Sequence, residues 1–207
     1  MGVYASYILP RILDFAMRQP QVAAERPKAL KEAFGDVLEI GFGTGLNLPF
    51  YPPTVKRLTA LDRARMLPTR VGRRLAAAPF GVELSISDAA NLPFETGRFD
   101  CVVSTWTLCS IADVSSALAE IARVLRPSGR FLFLEHGLSC DAVVARQQGR
   151  WNPWQRLLAG GCNLNRPIDR LVESAGFEVV ELDRFTLPDT LTILAPHYRG
   201  IARVRPT

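Results

Sequence analysis

Val37-Leu38-Glu39-Ile40-Gly41-Phe42-Gly43-Thr44-Gly45 reads as a short apolar strand running straight into a glycine-rich turn. Glycine at alternate positions suits a tight strand-to-helix connection whose backbone must approach a ligand with no side chain between. A dinucleotide-binding turn wants its third glycine one place later, beside a pyrophosphate. Here position 46 is Leu and the order is GxGxG. Glu39, two places before Gly41, sits badly beside a pyrophosphate and suits a ligand that carries an ammonium group.

Strands and helices alternate outward from this turn. Val55 to Leu61 is a second strand ending at Asp62, and Arg63 to Ala77 reads as a basic helix broken or kinked near Pro68. Val82 to Ile86 and Phe99 to Ser104 are the third and fourth strands. Asp113 caps a helix from Val114 to Leu125, and Phe131 to Leu134 is the fifth strand. Continuous apolar strands separated by helices imply an α/β fold, a parallel sheet between two helix layers. The alternation lapses from Gly137 to Arg166, then resumes with a helix to Ala175 and a strand over Phe177 to Leu182. The last strand, His197 to Val204, follows a connector too short for a crossover helix, so it is expected antiparallel. The first 34 residues read as helical, with Ile8, Ile12, Phe15 and Ala16 on one face. They serve either as a packing layer or as a lid over a ligand, and periodicity does not separate these.

The chain of 207 residues, 48% apolar and 22% charged, has the composition of one globular domain. Its net charge of +5 is local. Lys56 to Arg74 holds seven basic residues against Asp62, and the other 188 residues sum to −1. With neither interleaved aromatics nor a basic tail, no nucleic-acid partner is expected; contact with an anionic membrane surface is the weaker option. Four cysteines form no CxxC pair and have no histidines at zinc spacing, so the expectation is a reduced chain without metal. No secretory signal and no apolar run near the roughly 20 residues of a membrane span are found, so a cytoplasmic protein is expected. No obligate protein partner is implied.

In an open parallel sheet, ligands bind at the carboxyl ends of the strands. Those ends carry the glycine turn, Asp62, Ser87-Asp88-Ala89, Ser104-Thr105-Trp106 and Glu135-His136. A carboxylate in the position of Asp62 can accept both hydroxyls of a ribose. At these residues the sequence resembles the class I S-adenosylmethionine-dependent methyltransferases. The resemblance is carried by Glu39 to Gly45, Asp62, Asp88-Ala-Ala-Asn-Leu-Pro-Phe94, Phe99-Asp100 and Leu125-Arg-Pro-Ser-Gly129, over residues 35 to 136. It implies a Rossmann-like seven-stranded sheet and S-adenosylmethionine as cofactor. It implies that Gly41, Gly43 and Gly45 contact the methionine part, Asp62 the ribose, and Asp88 with Ala89 the adenine. Glu39, Asn47, Arg63 and Thr105 join this cofactor set; Ser128 and Arg63 depart from the residues usual in the family.

Gly45-Leu-Asn-Leu-Pro-Phe-Tyr51, Thr107-Leu-Cys-Ser-Ile111, Glu135-His136, Gly161-Cys-Asn-Leu-Asn-Arg166 and Pro196-His-Tyr-Arg-Gly200 are similar to the branch containing the alkyl-thiol methyltransferases and small bacterial relatives. One domain is therefore expected: a helical lid (1–34), a cofactor core (35–136) and a substrate side (137–207). The implied acceptor is a small apolar molecule, with a thiol favoured and an amine or phospholipid headgroup as the alternative. A nicotinamide-dependent reductase and a non-catalytic binder are the readings outside the class. His136 is the candidate base, or else a pocket-shaping residue bonded to backbone. Arg166 is a candidate for steering an anionic acceptor, or else the partner of Asp169. Tyr4, Tyr7, Phe50, Trp151 and Trp154 are expected at an apolar pocket mouth. Cys162 is expected nearby, although buried packing is the commoner fate of such a cysteine, as of Cys109.

Overall fold

A computed structural model describes residues 8–63 and 67–205. Seven strands form one sheet in the order β3-β2-β1-β4-β5-β7-β6: β1 (Gly35–Ile40), β2 (Val55–Asp62), β3 (Gly81–Ile86), β4 (Phe99–Thr105), β5 (Leu125–His136), β6 (Phe177–Thr186) and β7 (Pro196–Val204). All neighbours are parallel except those of β7, which runs antiparallel between β5 and β6. The strand order reverses between β1 and β4, where a doubly wound sheet opens its binding crevice.

Alternation along the central strands sends side chains into two cores. Leu38, Ile40, Val102, Phe131 and Phe133 face α5 (Val114–Val124) and α7 (Ile168–Ser174). Val37, Cys101, Val103 and Leu132 face α3 (Arg26–Leu30) and α4 (Pro68–Ala76). Burial on both faces accounts for the continuously apolar strands. Asp113 caps α5 as expected, accepting the Ser116 N–H at 3.0 Å, and Ala117, Leu118, Ile121 and Val124 form its buried stripe.

The break expected near Pro68 is found there: among the described residues the basic helix runs over Pro68–Ala76, after Leu67 in a left-handed conformation. Two local expectations change. The lapse after Gly137 contains α6 (Ala142–Leu158), hidden in the sequence by Gly149 and Pro153 but started by Asp141, whose carboxylate accepts the N–H groups of Val143 and Val144. This helix is fastened by polar groups. Gln148 is buried, donates to the carbonyls of Gly137 and Ile193 and accepts the Ser139 N–H, while Asn152 accepts the Leu164 N–H.

The second change concerns α1 (Leu9–Ala16), which is followed by α2 (Pro20–Ala23). The face carrying Ile8, Ile12 and Phe15 is exposed, and the buried side carries Leu9, Pro10 and Asp14. Polar contacts decided the orientation. The Asp14 carboxylate accepts the Thr44 hydroxyl at 2.5 Å and meets Arg74 at 3.0 Å and Arg70. Burial alone would raise its pKa, but Thr44, Arg74 and Arg70 together hold it below the ordinary value. The basic excess of residues 56–74 is thus partly spent inside the molecule. Arg57 pairs with Asp36, Arg63 with Asp88, and Arg70 and Arg74 with Asp14.

Candidate active site

Gly41, Gly43 and Gly45 all adopt positive φ, between 58° and 77°. A Cβ on Gly41 would lie 2.0 Å from Thr107 Oγ1, so no other residue fits there. At Gly43 the nearest atom would be the Gly41 carbonyl oxygen at 3.9 Å, which leaves bare backbone facing open space, a cradle for a ligand. The Gly43 N–H donates to Asp62 Oδ2 at 2.8 Å and ties the end of β2 to the loop. At the end of β3, Asp88 accepts the Ala90 N–H at 3.0 Å and lies 3.6 Å from Arg63 Nε, while Ala89 is buried. Arg63 therefore links the acidic ends of β2 and β3.

Beneath the loop lies a buried polar cluster with Asn47 at its hub. Its amide donates to Glu39 Oε1 and Thr105 Oγ1, both at 2.9 Å, and its oxygen accepts Arg26 Nη1 at 2.6 Å. The Tyr51 hydroxyl donates to Glu39 Oε2 at 2.8 Å. The Arg26 guanidinium stacks 4.7 Å from the Trp106 ring centroid and donates to the Met17 carbonyl. Burial pushes the Glu39 carboxyl up to about 7 and the Arg26 guanidinium down to about 10. A buried acid and a buried cation beside a glycine cradle suit a zwitterionic amino-acid group, as in the methionine part of S-adenosylmethionine. The residues present therefore fit that cofactor.

Of the expected cofactor residues, Glu39, Asn47 and Thr105 meet in this cluster, and Gly43 and Asp62 meet above it. The sequence reading missed Arg26, Tyr51 and Asp14 and named Trp106 only as part of the end of β4. Arg26 carries no local signal, since it meets Trp106 across 80 positions. Tyr51 lies within a motif already singled out, and Asp14 was visible as a charge interrupting an apolar helix. Trp106 has φ of 51°, and its indole N–H donates to His197 Nε2 at 2.9 Å. His197 donates in turn from Nδ1 to the Ala195 carbonyl, and burial holds its pKa down to about 4, so it stays neutral.

At the ends of β4 and β5, Glu135 Oε1 accepts the Ser104 hydroxyl at 2.7 Å and the Thr107 N–H at 3.1 Å. Glu135 Oε2 has no hydrogen-bond partner among the described residues, and burial raises this carboxyl to about 7. His136 is buried, with Nε2 3.4 Å from the Ile193 carbonyl and Nδ1 4.0 Å from Cys162 Sγ. Arg166 is half-buried and donates to the Leu108 carbonyl, whereas Asp169 pairs with Arg184. Phe50 lines a cavity of about 590 Å³ between α1, α2, the turn after Gly45 and α4, together with Arg18, Arg26, Arg70, Arg73 and Arg74. Trp151 and Trp154 stand on α6, 53% and 60% exposed. Tyr4 and Tyr7 lie outside the described residues. Among the described residues no helix is long and apolar enough to cross a membrane.

The comparisons with known proteins agree with this geometry. The family described as "Methyltransferase domain" matches residues 38–133. The human "Thiol S-methyltransferase TMT1A" is 33% identical over 188 residues, covering 80% of this chain and 69% of the relative. The "Phosphatidylethanolamine N-methyltransferase" of Cereibacter sphaeroides is 28% identical over 189 residues, covering 87% and 89%. Among solved structures, the N-methyltransferase NodS of Bradyrhizobium japonicum WM9 in complex with S-adenosyl-L-homocysteine superposes with a TM-score of 0.69 at 17% identity, covering 97% and 98%. With the cofactor cradle at the switch point of a doubly wound sheet, this chain belongs to the class I S-adenosylmethionine-dependent methyltransferases, in the family of the thiol S-methyltransferases.

Proposed function

We propose that the chain S-methylates a small apolar thiol. The observation that carries this reading is the acceptor side itself. Both ring nitrogens of His136 and of His197 face partners within the protein, and the Arg166 guanidinium, bonded to the Leu108 carbonyl three residues past β4, supplies a cation on this side. Such a site offers charge compensation rather than a histidine free to take a proton, which suits an acceptor that arrives as an anion. A thiolate is one at little cost, since an ordinary thiol has a pKa of about 8.5. The relationship to the human thiol S-methyltransferase supports the same acceptor.

S-adenosylmethionine, when bound, supplies an electrophilic methyl group on a sulfonium. The chain's part is binding, alignment and exclusion of water. Glu39 and Arg26 take the ammonium and carboxylate of the amino-acid end, Asp62 the ribose, and Asp88 with Ala89 the adenine. Helices α1 to α3 act as the lid, closed on the loop by Asp14 and on the cluster by Arg26. His136 shapes the pocket floor, and Phe50, Trp151 and Trp154 border the acceptor's approach.

A second reading, methylation of a phospholipid amine, has one observation in its favour. The cavity lined by five arginines suits a phosphate, and the Cereibacter relative is named for such a substrate. Formation of S-adenosylhomocysteine with a panel of alkyl thiols, small amines and phosphatidylethanolamine vesicles separates the two. Turnover with thiols is expected. Turnover confined to amines or vesicles replaces the first reading with the second.

A further inference from the structure

Cys109, His136 and Cys162 are 26 or 27 residues apart in sequence, yet their ligand atoms all lie within 4.8 Å of one another. The two sulfurs are 3.6 Å apart, and Cys162 Sγ is 4.0 Å from His136 Nδ1. A tetrahedral zinc ion with bonds of about 2.3 Å to sulfur and about 2.0 Å to nitrogen sets its ligands roughly 3.5 to 3.8 Å apart. We propose that these three side chains bind one soft divalent cation of the zinc class, with the fourth coordination position left for the acceptor thiolate. The second half of this inference rests on the thiol reading above.

The surroundings have what such a site needs. Asn163 donates to the Cys109 carbonyl from both its backbone N–H and its amide, each at 2.8 Å, and from the amide to the Gly161 carbonyl. A Cβ on Gly161 would come within 3.3 Å of the Ser110 carbonyl, so the chain before Cys162 is pressed against the chain after Cys109. The two cysteines are therefore held together by backbone rather than by chance rotamers. His136 turns Nε2 to the Ile193 carbonyl, which Gln148 also engages, and this leaves Nδ1 for the sulfur side. A ligating histidine usually has such an outer carbonyl, which fixes its tautomer. Binding a cation releases the thiol protons. Two thiolates, a neutral imidazole and a divalent ion sum to zero, and the Arg166 guanidinium stands ready to offset the charge of a bound acceptor.

The chemistry closes without an oxidant or reductant. The acceptor thiol gives its proton to water on entering the fourth position. Its sulfur lone pair then forms the new S–CH3 bond, while the methyl–sulfonium bond breaks and its electron pair stays on the cofactor's sulfur. Both products are neutral thioethers at the reacting sulfurs, and a neutral thioether is a weaker ligand than a thiolate, which favours release.

The test uses the whole chain, reduced by a non-thiol phosphine and titrated with cobalt(II) in the absence of air. One equivalent is expected to give thiolate-to-cobalt charge-transfer absorption, displaced by zinc(II), with a further spectral change on adding an alkyl thiol. Cys109→Ser, Cys162→Ser and His136→Ala should each weaken the metal at least about tenfold, whereas Cys140→Ser, at an exposed cysteine outside the site, should not. Circular dichroism and S-adenosylmethionine titration show that each variant is folded. No charge-transfer band in the reduced protein overturns the proposal, as does a band that survives loss of both Cys109 and Cys162. Isolation of a Cys109–Cys162 disulfide from protein that binds no metal after reduction also overturns it. Thiol turnover by protein that binds no cobalt sinks the metal site and leaves the thiol reading standing. A cobalt site that responds to thiols without methylating any of them does the reverse.

Discussion

At the ends of β1 and β2 the binding groups cluster close to the glycine turn in sequence, joined by Arg26 and Thr105 from farther along the chain, whereas at the ends of β4 and β5 the partners arrive from distant loops hung on a polar-fastened helix. On the first side, Glu39, Asn47 and Tyr51 lie within a dozen residues of the glycine turn and are locked by hydrogen bonds of 2.8 to 2.9 Å. On the second, Cys109, His136 and Cys162 converge from three elements, and α6 buries only Gln148. On the proposed reading the first side is the cradle of the cofactor, held by this hydrogen-bonded cluster. The acceptor side is a frame whose outer wall can change without disturbing that cradle, as expected where a scaffold carries function on its loops.

The sharpest way to break this contrast is to strain the cradle. Gly41→Ala places a Cβ against Thr107 in a conformation that alanine resists, and should cost about 3 kcal/mol of stability and abolish cofactor binding. Thermal unfolding and calorimetric titration read both effects. An unchanged melting temperature would show that the cradle yields as readily as the acceptor frame.

A smaller effect follows from pH. Glu39 and Glu135 sit at about 7, against an ordinary 4.5, because of burial. Between those values the folded chain holds more protons than the unfolded one. The stability this confers is fully present below about pH 4.5 and is lost as pH rises through about 7. Affinity for the cofactor's ammonium moves oppositely, since it needs the charged Glu39, and should rise on the order of tenfold across the same window. The gap in melting temperature between cofactor-bound and free protein should therefore widen from about pH 5.5 to about pH 8. Glu39→Gln should flatten it, and a gap that ignores pH in the parent protein contradicts the assignment of Glu39.

The smallest effect is expected on the outer wall. Trp154→Ala, at a 60% exposed position, should change stability by no more than about 0.5 kcal/mol and leave cofactor affinity unchanged, altering only KM for the acceptor. A matching loss of cofactor affinity would join the two sides into one unit.

The same contrast explains how much was legible in the sequence. The glycine turn, Asp62, Asp88 and the capped α5 were readable because their chemistry lies within a few residues of the strand end that displays it. The antiparallel β7 followed from a connector too short for a helix. The Cys109–His136–Cys162 cluster was not readable, because no local spacing records a meeting made by three chain reversals. Helix α6 was masked by Gly149 and Pro153, and its anchors, Gln148 and Asn152, are polar residues that periodicity discounts. Helix α1 was read as helical with its apolar stripe as the telling face, yet a single carboxylate among arginines outweighed three apolar side chains in setting which face is buried.

That carboxylate, Asp14, grips the Thr44 hydroxyl inside the glycine turn while Arg74 holds both Asp14 and the Thr44 carbonyl. Docking of the amino-terminal helix and ordering of the turn are then one equilibrium viewed from two ends. By reciprocity, whatever factor the helix contributes to cofactor affinity, the cofactor must return to the helix as resistance to detachment. A methyl donor in the cradle would thus also act as a clasp on helix α1, and the occupancy of one could be read from the protection of the other.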